Sequence, residues 1–253
     1  MAENTQLAEK QPTFSDVLTT SLVEVKEALP KDFNITRFVQ NAVALSNESE
    51  QLAAFAKNHG TAQIKAGLMR GAYLGLDFIN KEAYLVPYGS KLNFMIDYRG
   101  AKKLAKKYSI RPIKDIFAKI VRAGDEFEET VVGGVESFNF KPIPFNDGAV
   151  IGCFAVCVFE DGGMLIETMS LAELEKTRKC SKASGSMAWK DFTTEMYKKT
   201  CLHRLCKHIE IDFETINQRQ IFDDDVAIEK ESVSIDVPDI SEDIIEAEII
   251  DLE

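Results

Sequence analysis

The stretch AYLVPYGSKLNFMIDYRGAKKLAKKY, residues 83–108, contains the change of hydrophobic period that decides the fold class. Apolar residues alternate with polar ones on both sides of Gly89-Ser90, a pair suited to a two-residue type II′ turn. From Tyr98 onward apolar residues recur at the i, i+3, i+4 and i+7 spacing of an amphipathic helix. The centre of the chain is therefore expected to form a β-hairpin followed by a helix.

Helical spacing dominates the chain before this stretch, and strand spacing follows it. Helices are predicted over residues 15–29, 34–46, 49–57 and 61–74, with His59 at a helix terminus. Strands are predicted over residues 112–121, 127–140, 149–159 and 164–169, and Ser170 with Glu173 forms a capping box that opens another helix. Runs of strands flanked by runs of helices indicate an α+β fold with a small curved antiparallel sheet packed on helices.

Composition indicates one domain with a tail. A chain of 253 residues with 45% hydrophobic residues can bury a substantial core. The polar start, and the lack of an apolar run near the roughly 20 residues of a membrane span, predict a cytoplasmic protein. Five cysteines, two of them (Cys153 and Cys157) within an apolar strand, are expected to be reduced and buried rather than paired in disulfides.

The net charge of −11 is distributed unevenly along the chain. Asp223 to Glu253 holds thirteen acidic residues and one basic residue, which leaves 29 basic against 28 acidic residues in positions 1–222. Because partner choice follows the local field, the overall charge does not exclude a nucleic-acid partner. For the tail two hypotheses stay open: disorder that keeps the protein soluble, or a mobile anion mimic that competes with DNA or docks another protein.

Two regions are strongly basic. Tyr98 to Arg122 carries nine Lys or Arg against one acid, Asp115, and the helical spacing leaves four lysines together opposite the apolar stripe: Lys102, Lys103, Lys106 and Lys107. Such a cluster repels itself unless an anion neutralises it. Lys176 to Lys207 again holds nine basic residues, against two acids.

The second basic region contains WKDFTTEMYKKTCLHRLCKHI, residues 189–209, which is predicted as one long helix. Its apolar stripes are expected to contact protein on more than one side, and the cations fall outside those stripes: Lys198, Lys199, Arg204 and Lys207. This pattern fits a phosphate-binding surface or a solvated charged face. The two basic regions could line one groove or lie on unrelated surfaces.

No catalytic motif is recognisable. The chain lacks GxxxxGK[ST] and lacks GxGxxG after a strand, so no cradle for a nucleotide is predicted. Cysteines and histidines occur together at Cys201, His203, Cys206 and His208, but their spacing places the four side chains around the helix axis. A tetrahedral zinc site needs its ligands to converge, so no zinc site is predicted here. The acids Asp125, Glu126, Glu128 and Glu129 resemble a solvated turn more than a nuclease metal site. A metal-dependent nuclease and a non-enzymatic phage structural or partner-binding protein remain as alternatives.

Several short motifs occur in an order and spacing known from one family. They are Leu85-Val86-Pro87-Tyr88, Asp97-Tyr98-Arg99-Gly100, Arg122-Ala123-Gly124-Asp125-Glu126-Phe127, Ser181-Lys182-Ala183 ahead of Trp189, and Met196-Tyr197-Lys198-Lys199-Thr200. Over residues 60–215 the chain resembles the RecT-type phage single-strand DNA annealing proteins. Each motif is short, but five in register make coincidence improbable.

The resemblance implies an ATP-independent recombinase that binds single-stranded DNA, anneals a complementary strand and holds the duplex in a basic groove of a ring or helical homo-oligomer. It implies a β-β-β-α-like core, no catalytic residues and no required cofactor, with a divalent cation at most modulating DNA binding. A phage exonuclease and the host single-strand-binding protein are the implied partners. The corresponding regions are helices for oligomerisation or packing over residues 1–60, a DNA-binding annealing core over 61–222 and an acidic, flexible tail over 223–253.

The resemblance also implies a set of DNA contacts. Phosphate contact is expected from Arg99, Lys102, Lys103, Lys198, Lys199 and Arg204. Tyr98 and Trp189 are the expected aromatics near bases or sugars, each with core packing as the alternative, and Gly100 is expected to permit close backbone approach or to form an ordinary turn. Many relatives carry Arg where this chain has His203, whose largely neutral imidazole cannot supply that charge.

Overall fold

A computed structural model of the chain describes residues 12–180, 185 and 187–233, and the mixed class predicted from the sequence is confirmed. The helices are α1 Phe14–Glu24, α2 Ile35–Glu48, α3 Glu50–His59, α4 Ala62–Leu74, α5 Tyr98–Tyr108, α6 Leu171–Cys180, α7 Met187–Asp191, α8 Thr193–Cys206 and α9 Ile216–Val233, with a 3-10 turn at Lys26–Ala28. The strands are β1 Ala83–Tyr88, β2 Lys91–Ile96, β3 Ile113–Arg122, β4 Glu126–Val132, β5 Val135–Lys141, β6 Val150–Phe159 and β7 Met164–Ser170.

Side-chain caps explain where the first helices begin. Thr13, Asn34 and Ser49 each accept a hydrogen bond from a backbone N–H in the first turn of α1, α2 and α3. Ser170 and Glu173 form the predicted capping box at the start of α6, with three hydrogen bonds between them. Each cap satisfies N–H groups that a helix leaves without partners, so local sequence fixes these boundaries.

The strands form three small antiparallel sheets instead of the single sheet expected. β1 pairs with β2, β6 lies between β3 and β7, and β4 pairs with β5. The β4–β5 hairpin packs face-on against the three-stranded sheet because its phenylalanines surround one ring of β6. The centroids of Phe127, Phe138 and Phe140 lie 4.7, 5.4 and 5.0 Å from that of Phe154. The opposite face of the sheet packs on α8 and joins the main core.

Two glycines fix the geometry around the central hairpin. Gly89 has φ of 60° and Ser90 a negative φ, as the predicted type II′ turn requires. Gly100 lies in the first turn of α5, where a Cβ would come within 2.2 Å of the carbonyl oxygen of Glu82. That oxygen also accepts a hydrogen bond from the N–H of Asp97 at 3.0 Å. The predicted close backbone approach at Gly100 is thus made by the protein's own chain.

The helix predicted over residues 189–209 is interrupted. α7 ends at Asp191, Phe192 has non-helical angles (φ −124°, ψ 38°), and α8 runs only from Thr193 to Cys206. The hydroxyl of Thr193 donates to the carbonyl of Trp189 at 2.8 Å and so bridges the break. Phe192, whose spacing from Trp189 fits the apolar stripe of one continuous helix, is exposed.

The first part of the predicted tail belongs to a helix. α9 continues from Ile216 to Val233, so the boundary predicted at residue 223 falls inside it. Asp225 is buried and accepts a hydrogen bond from the N–H of Ile96 at 3.0 Å, while Asp224 pairs with Arg70 at 3.1 Å. The remaining tail, residues 234–253, lies outside the described residues. Among those described, no helix is long and apolar enough to cross a bilayer.

Cysteine reactivity should follow burial. Cys153, Cys157, Cys201 and Cys206 are buried free thiols and Cys180 is half-buried. Burial raises the pKa of Cys157 to about 11 and that of Cys206 to about 12, which suppresses the reactive thiolate. At pH 8 a thiol reagent should label one cysteine of the native protein quickly, Cys180, and all five after unfolding in urea. Peptide mapping of the labelled protein identifies the site, and fast labelling of Cys157 would contradict the packing.

Gly100→Ala tests the contact between α5 and the residue before β1. The added methyl group overlaps the Glu82 carbonyl oxygen, and overpacking of this kind costs roughly 1–3 kcal/mol. Urea unfolding should therefore show a lower midpoint. Gly185→Ala is the matched control, because a Cβ there meets no atom within 4 Å. Equal midpoints for the two variants would refute the close approach.

Candidate nucleic-acid interface

The four lysines of α5 do not form a single cationic patch. Lys102 donates to the carbonyl of Ile116 and Lys106 pairs with Asp115, both in β3. On the other side of the helix Lys103 contacts Glu82 at 2.7 Å, and Lys107 contacts Asp32 at 3.2 Å. The repulsion expected from the sequence is thus relieved by acceptors of the protein itself, and the ammonium groups diverge toward two flanks.

A nearly buried ion pair joins α5 to α8. Asp97, whose side chain is 1% exposed, caps α5 by accepting from the N–H of Arg99 at 3.2 Å. Its other oxygen lies 2.5 Å from the ammonium of Lys199, off the line of a hydrogen bond, so its charge depends on that lysine for compensation. Lys199 is 36% exposed, so its outer side can face a ligand.

Two tyrosines and an arginine complete this group. The Lys199 ammonium lies 5.7 Å from the ring centroid of Tyr84 and 5.9 Å from that of Tyr98, both within cation–π range. The guanidinium of Arg99, which is exposed, lies 5.4 Å from the Tyr98 centroid. We call Tyr84, Asp97, Tyr98, Arg99 and Lys199 the tyrosine–lysine cluster. Burial, followed by the negative charge of Asp97, raises the pKa of Tyr84, so its phenol stays neutral at physiological pH.

His203 supports the cluster from α8. It lies one helical turn after Lys199, and its Nε2 is 3.2 Å from the carbonyl oxygen of Ile96, the residue before Asp97. Asp225 accepts from the N–H of the same Ile96. The imidazole of His203 therefore contacts the end of β2, and α8 and α9 together hold the entry into α5.

The remaining predicted contacts lie elsewhere. Arg204 pairs with Glu167 at 2.7 Å and with Glu173 at 3.5 Å, about 140° around α8 from Lys199. Hydrogen bonds from Ser170, and then the charge of Arg204, lower the pKa of Glu173. Lys198 pairs with Glu195. The structure thus brings together Tyr98, Arg99, Gly100 and Lys199, and separates Arg204 from them.

Trp189 packs inside the protein. It is 4% exposed, and its ring centroid lies 6.1 Å from that of Tyr197. The guanidinium carbon of Arg178 lies over the indole, 5.6 Å from the ring centroid. Tyr197 donates to the Glu175 carboxylate, and burial together with this bond raises the Tyr197 pKa to about 12. Trp189 therefore packs in the core and anchors α7, as the alternative to a DNA contact predicted.

Sequence reasoning missed Tyr84, and it missed the acids that pair with the lysines. Asp97 stands in a quoted motif directly before a helix, where an N-cap is the usual role, so that signal was available. Tyr84 alternates with Val86 and Tyr88 on β1, but nothing local indicated that Lys199, more than a hundred residues later, would lie over its ring.

The candidate metal ligands around the end of α8 and the start of β4 have other partners or point apart. Cys201 and Cys206 are buried, His203 contacts Ile96, and His208 lies 3.4 Å from Glu167, so these four side chains point apart. Asp125 accepts bonds from backbone N–H groups, and Glu126 pairs with Lys141. Among the described residues no group of three or more His, Cys, Asp or Glu side chains could hold an ion.

Comparison with known proteins identifies the family of the chain. The sequence model of the RecT family matches residues 36–238. This chain belongs to the RecT family. Protein RecT of Escherichia coli (strain K12) is 30% identical over 228 residues, which cover 86% of this chain and 80% of that protein. The resemblance inferred from the motifs is confirmed.

Family membership supports phage-type single-strand annealing and DNA recombination, and it implies single-stranded DNA binding and oligomerisation. RecT annealing proteins are generally not hydrolytic enzymes. Family membership therefore sets the general function, which is single-strand annealing in DNA recombination.

Lys199→Met should destabilise the protein because it leaves the buried Asp97 carboxylate without its cation. We expect a loss of about 2–3 kcal/mol in unfolding free energy, less than the roughly 3–5 kcal/mol of a fully buried pair because water reaches Lys199. Lys198→Met, which removes an exposed pair, should cost under about 1 kcal/mol. Adding Asp97→Asn to Lys199→Met should recover part of the loss. Equal midpoints for the two single variants would show that the Asp97 charge is compensated by other means.

Proposed function

We propose that this protein binds single-stranded DNA through phosphate contacts and anneals it to a complementary strand without ATP, holding the new duplex in a basic groove of a homo-oligomer. The observation that carries the proposal is the tyrosine–lysine cluster. It places an exposed arginine, a partly exposed lysine and two tyrosine rings on one surface built from β1, α5 and α8.

This chemistry fits the physical problem of annealing. Two polyanions approach each other only if cations offset phosphate repulsion, while the pairing edges of the bases must stay free. Arg99 and Lys199 supply charge from rigid helices, and Tyr84 and Tyr98 offer flat apolar surfaces to bases or sugars. Contacts of this kind do not read sequence, as a general annealing activity requires.

The other cations are proposed to reach DNA beside their internal partners or in place of them. Lys102, Lys103, Lys198 and Arg204 each have an acceptor within the protein. The Lys198–Glu195 pair is solvent-accessible and contributes little stability, so replacement of its carboxylate by a phosphate costs little. Glu82 and Glu167 are only 14% and 13% exposed, so Lys103 and Arg204 are proposed to keep them and to contact phosphate from the exposed side of the cation. Gly100 and Trp189 are proposed to act indirectly, through the seating of α5 and the anchoring of α7.

Several further assignments are part of the same proposal. Residues 1–60 are proposed to serve packing and oligomerisation, and residues 61–222 DNA binding. The acidic residues 223–253 are proposed to serve solubility, or to compete with DNA or dock another protein. A phage exonuclease that produces single strands and a host single-strand-binding protein are the proposed partners. No cofactor is required, and a divalent cation acts at most on DNA affinity.

One assay separates annealing from the alternatives. Complementary fluorescent oligonucleotides are mixed with the protein in EDTA without nucleotide, and in a parallel reaction with Mg²⁺. Annealing in EDTA with intact strands supports the proposal. Loss of strand length that requires Mg²⁺ would identify a nuclease, and neither effect would leave a structural or partner-binding role.

Arg99→Gln should weaken single-strand binding through the loss of a phosphate contact. The slope of log K against log salt should become shallower by about 0.7, the value for one phosphate on a single strand. Lys141→Gln is the control, because this exposed lysine on the β4–β5 hairpin pairs with Glu126 away from the cluster. Both variants should unfold like the parent. An unchanged slope for Arg99→Gln would remove Arg99 from the contact set.

A further inference from the structure

A loop between β5 and β6 displays an aromatic side chain in solvent. Phe145 is 102% exposed, and Ile143 beside it is 50% exposed. Phe145 also has φ of 56°, a left-handed conformation that bulky residues rarely adopt. Strained positions persist where the surrounding structure determines them, and they often mark functional sites.

The loop that carries Phe145 is anchored rather than loose. Asp125 accepts hydrogen bonds from the N–H of Ile143 at 2.9 Å and from the side-chain amide of Asn146 at 2.8 Å. Arg122 donates to the carbonyl of Gly148 at 2.8 Å, and prolines precede both Ile143 and Phe145. Residues on both sides of Phe145 are therefore fixed, and the ring is held outward as a preformed projection.

The helical N-terminal region contains an apolar cavity of about 300 Å³ between α1, α2, α3 and α4. Its apolar lining comes from Phe14, Val43, Leu52, Ala53, Ala56 and Ile64, and the other lining residues are Ser, Thr and Asn. None of the described residues that line it is charged. The cavity is open to solvent on one side, so a side chain of another molecule can enter it, and its volume exceeds the roughly 150 Å³ that holds a benzene ring.

We propose that Phe145 of one subunit inserts into the α1–α4 cavity of a second copy of this chain, with Ile143 packing at its rim. Such a contact joins two different surfaces of the same chain, so it is head-to-tail and generates a ring or an open helix. It rests on the oligomerisation of the family and not on the proposed DNA contacts. A standard interface buries more than one side chain supplies, so Phe145 serves as its central anchor.

Other segments of the chain fit the cavity less well. Within one subunit Phe145 is fully exposed and so does not fill its own cavity. Residues 2–11, AENTQLAEKQ, contain a single large apolar residue, Leu7. Residues 234–253 carry an acidic residue every two or three positions, and burying those carboxylates in an uncharged cavity would be costly.

Two variants on opposite sides of the contact test the proposal. Phe145→Ala removes the projection, and Ala56→Phe fills the cavity from α3. Each full-length variant, studied without DNA by sedimentation velocity, should self-associate at least tenfold more weakly than the parent. Val132→Ala removes an apolar side chain of similar exposure at the tip of the β4–β5 hairpin and should leave assembly unchanged. Circular dichroism and thermal unfolding establish that each variant folds.

Mixing the two defective variants gives the decisive result. The mixture retains one intact combination, Phe145 of the Ala56→Phe chain with the open cavity of the Phe145→Ala chain. We expect 1:1 dimers and no larger species. Parent-like assembly of either folded variant, or a mixture that remains monomeric, would overturn the proposal. Loss of annealing with assembly intact would instead count against the DNA contacts.

Discussion

The ion pair between Asp97 and Lys199 is the contact on which the candidate site depends. Asp97 follows β2, caps α5 and lies out of water, so its charge requires a cation held at a fixed place. Lys199 supplies that cation from α8 and is itself positioned between two tyrosine rings. One buried carboxylate thereby sets the positions of the β1–β2 hairpin, α5 and α8 relative to one another, and creates a surface where charge and aromatic rings meet.

Much of the fold could be predicted because it depends on local signals. Period-two alternation around Gly89-Ser90 and helical spacing after Tyr98 predict the central elements, and the box at Ser170 and Glu173 predicts the start of α6. The break at Phe192 could not be predicted from apolar spacing, because Trp189, Phe192 and Met196 keep the spacing of a continuous helix across it. The division into three sheets depends on four phenylalanine rings meeting across the chain, a tertiary contact that no single strand reveals.

The site was less predictable than the fold. The basic helices, the buried stripe of α5 and the family were all accessible from the sequence. The directions of the lysine side chains were not, because their acceptors come from distant segments such as Asp32, Glu82 and Asp115. A helical pattern places Cα atoms on a face, but long flexible side chains turn toward the nearest compensating charge. The same limit applies to Arg204, which turns to Glu167 on β7.

The internal partners of these cations have a consequence for how a strand could move. If these cations bind DNA as proposed, a solvent-accessible one such as Lys198 can pass from its carboxylate to a phosphate at little cost, so a phosphate that enters or leaves meets a low barrier. A strand held by several such exchanges can shift by one nucleotide without losing all its contacts at once. The surface would then hold the DNA backbone while allowing the strand to shift along it until the complementary bases are in register.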